Sequence, residues 1–219
     1  MGVIFWIVGM LIVFASLAWY NKQLAKKRTE AFEAQANEMG LGFSETANEL
    51  IERLDDFALF KRGRRKKTRN VLTGDAGDVK ISIFDYFFTT GSGKSKKTHS
   101  QTVVLLESVN IQAPSFSMRQ QGFFDKVGKA LGFQDIDFTS HPKFSKMFVL
   151  QSPDEESVRR FFTPGLLEFF ETQERVSVEG GVGRIMTFNA SKMLRPEEVK
   201  DGLAKAYEVY GHIVDPSVS

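Results

Sequence analysis

The stretch Gly2–Tyr20 (GVIFWIVGMLIVFASLAWY) carries no ionisable side chain except the Tyr20 phenol. As a helix, these 19 residues rise about 29 Å, close to the ~30 Å hydrocarbon core of a bilayer. Such a segment needs either a membrane or a core that surrounds it on every side. All of the chain's 29 Lys+Arg and 27 Asp+Glu lie beyond residue 20, so the remaining sequence is a different kind of material. Trp6 lies near one end of the apolar run, and Trp19 and Tyr20 close the other, where amphipathic rings favour the interface. Gly9 and Ser16 are compatible with a membrane helix, in which small residues are common.

A secretory signal is the rival reading, because Ser16-Leu17-Ala18 has the small-residue spacing of a cleavage site. Met1–Val3 lacks the Lys or Arg that such a signal requires. The positive charges come afterwards instead: Lys22, Lys26, Lys27 and Arg28, with no acid before Glu30. By the positive-inside rule this flank stays in the cytoplasm and the N-terminus lies outside. The reading is therefore an uncleaved, single-pass anchor in the inner (cell) membrane, contacting the lipid bilayer through residues 2–20.

Residues 1–20 are thus read as a transmembrane helix, and 21–42 as a juxtamembrane helical stalk rich in Ala, Gln, Glu and Lys that ends near Gly40. Residues 43–212 form a cytoplasmic domain, and 213–219 a flexible tail. Within the domain, Val79–Thr90 and Ser100–Ser108 are rich in Val, Ile, Phe and Thr and flank a polar Gly-Ser-Lys loop. They predict an antiparallel hairpin buried on both faces. Pairing it symmetrically sets His99 across from Phe88. Val176–Glu179 and Arg184–Phe188 predict a second hairpin, while Asp154, Thr163-Pro164 and Pro196-Glu197-Glu198 open helices. Strands and helices do not alternate strictly, so the expected class is α+β: an antiparallel sheet with packed helices behind an N-terminal transmembrane helix.

The chemistry is sparse. Without Cys there is no thiolate metal site and no cysteine nucleophile, and His99, His141 and His212 have no local metal-ligand spacing. No metal and no cofactor are expected. Gly93-Lys94-Ser95 lacks the glycine spacing of a phosphate loop and leads into a strand. Asp85, inside an apolar strand, needs a partner such as Thr102 or Arg69, or else a raised pKa. Asp85 and His99 are the catalytic candidates for an alternative reading as a membrane-bound, hydrolase-like enzyme with its site around the first hairpin.

Lys61, Arg62, Arg64, Arg65, Lys66, Lys67 and Arg69 crowd seven cations into nine residues. Setting these and the four juxtamembrane cations aside leaves 18 basic against 27 acidic residues, so the positive charge is concentrated. The run reads either as a solvated loop before the first strand or as a site for anionic lipid headgroups or an acidic protein partner. Nucleic acid fits less well, since no aromatic residues interleave the cations. Gly122–Phe133 reads as a short core-facing helix or one lying in the membrane plane.

Several stretches carry a resemblance: Arg69-Asn70-Val71-Leu72-Thr73-Gly74, Phe84-Asp85-Tyr86 running on to Gly91-Ser92-Gly93, Thr98-His99, and the set from Phe144 to Pro164. Together they resemble a group of uncharacterised bacterial proteins with one N-terminal membrane helix and a cytoplasmic domain. The resemblance implies architecture and compartment and brings no catalytic residue. The functional reading is a membrane-anchored binding or scaffolding module at the inner membrane face.

Overall fold

Side-chain alternation along Val79–Thr90 decides how the layers are arranged. Val79, Ile81 and Ile83 point to one face of the strand, Phe84, Tyr86 and Phe88 to the other, and all six are buried. A strand buried on both faces sits in the middle of a sheet with a helical layer on each side. The computed structural model, which describes residues 2–122 and 134–215, shows this arrangement. Eight antiparallel strands are ordered β1-β2-β3-β4-β8-β7-β5-β6. They are β1 (Gly42–Ser44), β2 (Arg64–Ala76), β3 (Val79–Thr90), β4 (Lys97–Glu107), β5 (Phe116–Gln120), β6 (Phe148–Gln151), β7 (Ser177–Gly181) and β8 (Arg184–Phe188).

One face carries the larger core. Val79, Ile81, Ile83, Val104 and Leu106 share a cluster with Phe32 and Ala36 of α1 (Gly2–Met39) and with the helices α4 (Pro142–Met147), α5 (Glu155–Phe161), α6 (Pro164–Glu171) and α7 (Val199–Val214). Phe116, Phe138, Phe144, Phe148, Phe162 and Phe170 meet there ring to ring, with Phe116 and Phe162 edge-on at 5.1 Å. The abundant Phe of the domain thus fill their own core. The opposite face, with Phe84, Tyr86, Val103, Leu105 and Met186, is covered by α2 (Glu49–Arg53) and α3 (Ala58–Lys61).

The fold class and both hairpins match the expectation. Phe88 lies opposite His99 and Tyr86 opposite Gln101, which is the symmetric register. Asp154 caps α5 by accepting from the Ser157 N–H at 3.0 Å, and Thr163 caps α6.

Two features differ from the sequence reading. The basic run is not a loop before the first strand. It opens β2, a 13-residue strand that pairs with β3 through two register shifts, at Arg64/Lys67 and at Arg69/Leu72. And where a juxtamembrane stalk continuing the apolar helix was expected, the second half of the 38-residue α1, closed by Gly40 at φ 68°, lies against the sheet, with Phe32 and Ala36 fully buried. The helix considered for Gly122–Phe133 falls, beyond its first residue, outside the described residues, as does the tail beyond Asp215.

Candidate functional site

The apolar half of α1 and the rest of the chain meet at one place. Side chains from Phe5 to Tyr20 are all exposed, and α1 is the one helix among the described residues long and apolar enough to cross a membrane. Eight residues further on, the Arg28 guanidinium forks onto Asp85, Nε to Oδ2 and Nη2 to Oδ1, both at 2.8 Å. Asp85 is fully buried, while the Arg28 side chain keeps 21% of its surface. Thr102, the register partner of Asp85 on β4, donates to Oδ1 at 2.7 Å, and Asn70 Nδ2 donates to Oδ2 at 2.8 Å. The network extends outward: Thr29 donates to Asn70 Oδ1, and Arg28 Nη2 also reaches the Leu194 carbonyl, each at 2.8 Å. The Arg28 guanidinium lies 4.5 Å over the Phe32 ring.

A buried carboxylate is tolerated only when paired and hydrogen-bonded, and here every partner is supplied by a different element. Asn70 can do this because it sits at a register shift with φ 51°, a left-handed conformation that Asn adopts more readily than most residues. Of the two partners proposed for Asp85, Thr102 is one. Arg69 is not; it stands opposite Asp85 in the ladder but is exposed.

His99 faces the other side of the sheet. Its ring stacks on Phe88 at 4.8 Å and its Nε2 lies 2.8 Å from Thr90 Oγ1. Burial, with the charges of Lys97 and Arg62 behind it, holds its pKa below the ordinary imidazole value. The sheet thus separates Asp85 from His99, and neither lines the domain cavities of about 200 and 280 Å³. Among the described residues no three His, Asp or Glu side chains gather to hold a metal.

The seven cations of the basic run part company once folded. Arg62 is buried (8% exposed), and burial lowers its pKa while Glu179 opposes that shift. Glu179, on β7, is itself 2% exposed. It accepts from the Leu59 N–H at 3.1 Å and the Ser117 hydroxyl at 3.3 Å, and burial raises its pKa to about 7. Nothing in the sequence marked Glu179 beyond its place in a predicted strand. Gly63 follows at φ 63°, where a Cβ would lie 2.6 Å from the Thr89 carbonyl oxygen, so only glycine lets the chain enter β2 here. Arg64 Nη2 reaches the Gly91 carbonyl at 2.7 Å, Lys66 donates to the Phe60 carbonyl, and Lys67 lies 5.2 Å over the Phe87 ring. Lys61, Arg65 and Arg69 are exposed.

These cations nonetheless share an end of the molecule with the apolar helix. Arg28 and Thr29 contact Asp85 and Asn70, while Leu41, just past the helix end, lies against Gly74. Along α1 the contacts on β2 therefore run from residue 70 to 74, so the upstream half leaves in the direction of the Arg64 end of that strand. The segments at this end, 1–29, 57–74 and 86–106, hold fourteen of the 29 basic residues and none of the 27 acids.

No protein-family profile matches the chain, and no curated protein sequence does. Among solved structures, the crystal structure of the mycobacterial trehalose monomycolate transport factor A, TtfA, is similar in fold. It aligns at a TM-score of 0.57 with 11% sequence identity, over 85% of this chain and 93% of that one.

Proposed function

We propose that this chain is a single-pass membrane protein whose folded domain is a non-enzymatic binding or scaffolding module on the cytoplasmic face. The observation that carries the reading is the Arg28–Asp85 network. It locks the helix bearing the exposed apolar segment into the centre of the sheet, so the domain is built around its anchor. The acid-free basic end beside that segment supports a cytoplasmic orientation, because cations flanking a membrane helix are retained on that side. The family resemblance of residues 69–74 and 84–93 points the same way. The protein of similar fold is named a transport factor, and a role in binding or transport is the part of that description we extend to this chain. Lys61, Arg64, Arg65, Lys67 and Arg69 remain the candidates for anionic headgroups or an acidic partner, while buried Arg62 serves the interior.

Alkaline extraction of membranes and protease protection test the reading together. The full chain should stay with the membrane pellet. Its domain should be cleaved only from the cytoplasmic side. A chain released by alkali, or a domain digested from outside intact cells, overturns it.

A further inference from the structure

The β3–β4 ribbon outruns β8 on one side and keeps β2 beside it, to Arg64 opposite Thr89, on the other. β8 ends at Phe188, opposite Val103, whereas β3 and β4 stay paired out to Thr90 and Lys97. From Asp85 to Thr90 the ribbon climbs about 17 Å at strand rise. From Arg28, which touches Asp85, α1 needs only about 12 Å to reach Tyr20, where its apolar segment begins. The two climbs are comparable, the ribbon's being the longer, so its turn reaches at least as far as the edge of that segment.

This turn is a single 3-10 helical turn, Gly93–Ser95, fastened by Arg64 to the Gly91 carbonyl. It exposes Lys94, Lys96 and Lys97. No acid occurs between Asp85 and Glu107 in sequence, nor between Asp56 and Asp75 on the adjoining strand. Resting on the anchor reading above, we infer that the tip of the β3–β4 hairpin is a membrane foot: Lys94, Lys96 and Lys97, flanked by Arg65 and Lys67, sit in the phosphate layer of an anionic leaflet. Position and charge agree on the occupant, since a surface that reaches as far as the end of a membrane helix meets headgroups before it meets anything else.

The absence of Cys makes a direct test possible on the full chain. Ser92→Cys places one fluorophore at the tip, and Val182→Cys places one in the exposed turn at the far end of the sheet. Each labelled chain is reconstituted in nanodiscs of phosphatidylcholine alone or with phosphatidylglycerol, with a quencher on the lipid headgroups. The tip label should be quenched, more in anionic discs than in neutral ones, and the Val182 label should not be. Lys94→Gln, Lys96→Gln and Lys97→Gln should each weaken the anionic preference, by roughly fivefold per lysine in the contact equilibrium. Quenching indifferent to phosphatidylglycerol and to the three lysines overturns the inference. A tip unquenched in discs that retain the protein through an alkaline wash overturns it too, and leaves the anchor standing. Loss of the protein in that wash overturns the anchor reading itself.

Discussion

Glu179 shows what a single buried carboxyl does to the behaviour of this protein. Its two oxygens take the Leu59 N–H and the Ser117 hydroxyl, so it ties α3, and the basic strand that α3 leads into, to the centre of the sheet. Burial raises its pKa to about 7 from 4.5, so the fold holds a proton that the unfolded chain has already released. Between those two values the native state binds more protons. Stability is then full below about pH 4.5, falls as pH rises towards 7, and levels off above it. The interval corresponds to about 3 kcal/mol as an upper figure. Urea titrations of the full chain in detergent, from pH 4.5 to 8, should show this decline. Glu179→Gln, which keeps an acceptor for Leu59 but cannot titrate, should flatten it. An equal slope in the variant would assign the pH dependence to other groups.

At the scale of elements, the decisive joint is α1 against the sheet. Arg28→Leu leaves Asp85 buried with only Asn70 and Thr102, and should cost about 3 kcal/mol or more, since an uncompensated buried charge is expensive. Arg28→Lys should fall between, because lysine cannot form the two-pronged contact. Combining Arg28→Leu with Asp85→Asn should recover part of the loss by removing the stranded charge. Denaturation midpoints of the four chains check this, and a loss under about 1 kcal/mol for Arg28→Leu would show that the pair does not hold the joint. The same joint shows how far the sequence could be read. That Asp85 needed a partner followed from its apolar strand, and Thr102 followed from the hairpin register. Arg28 did not, because it lies 57 residues away among cations that serve equally well as membrane flank. β2 was missed for a related reason. Its first half is nearly all Lys and Arg, whose long stems reach carbonyls and rings on either face, and two register shifts break the alternation that identifies a strand. Glu179 was hidden because a glutamate in a short strand reads as solvent-facing until the packing of α3 over it is known.

The whole molecule is polarised. Outside the three acid-free segments, 15 basic residues face 27 acids, so a negative body hangs below a positive end. On the proposed function, two restraints set its attitude at a bilayer: one helix running unbroken from Phe5 into the core, and the inferred attraction between that end and anionic lipid. They respond differently to salt. The Debye length shrinks from about 10 Å at 0.1 M to about 3 Å at 1 M, which weakens the attraction and leaves the helix untouched. Energy transfer from a label at Val182 to headgroup acceptors should therefore be low in the wild type and nearly independent of salt. Ala25→Pro, placed between Tyr20 and Arg28, removes one helical hydrogen bond and kinks the connection. In that variant the basic end alone keeps the body away from the bilayer, so transfer should stay low in dilute buffer and rise at 1 M. A wild type that already responds to salt would mean that α1 is not stiff between the bilayer and Arg28. A proline variant as insensitive as the wild type would mean that neither the helix nor the charge sets the attitude, and that packing around the exit of α1 does.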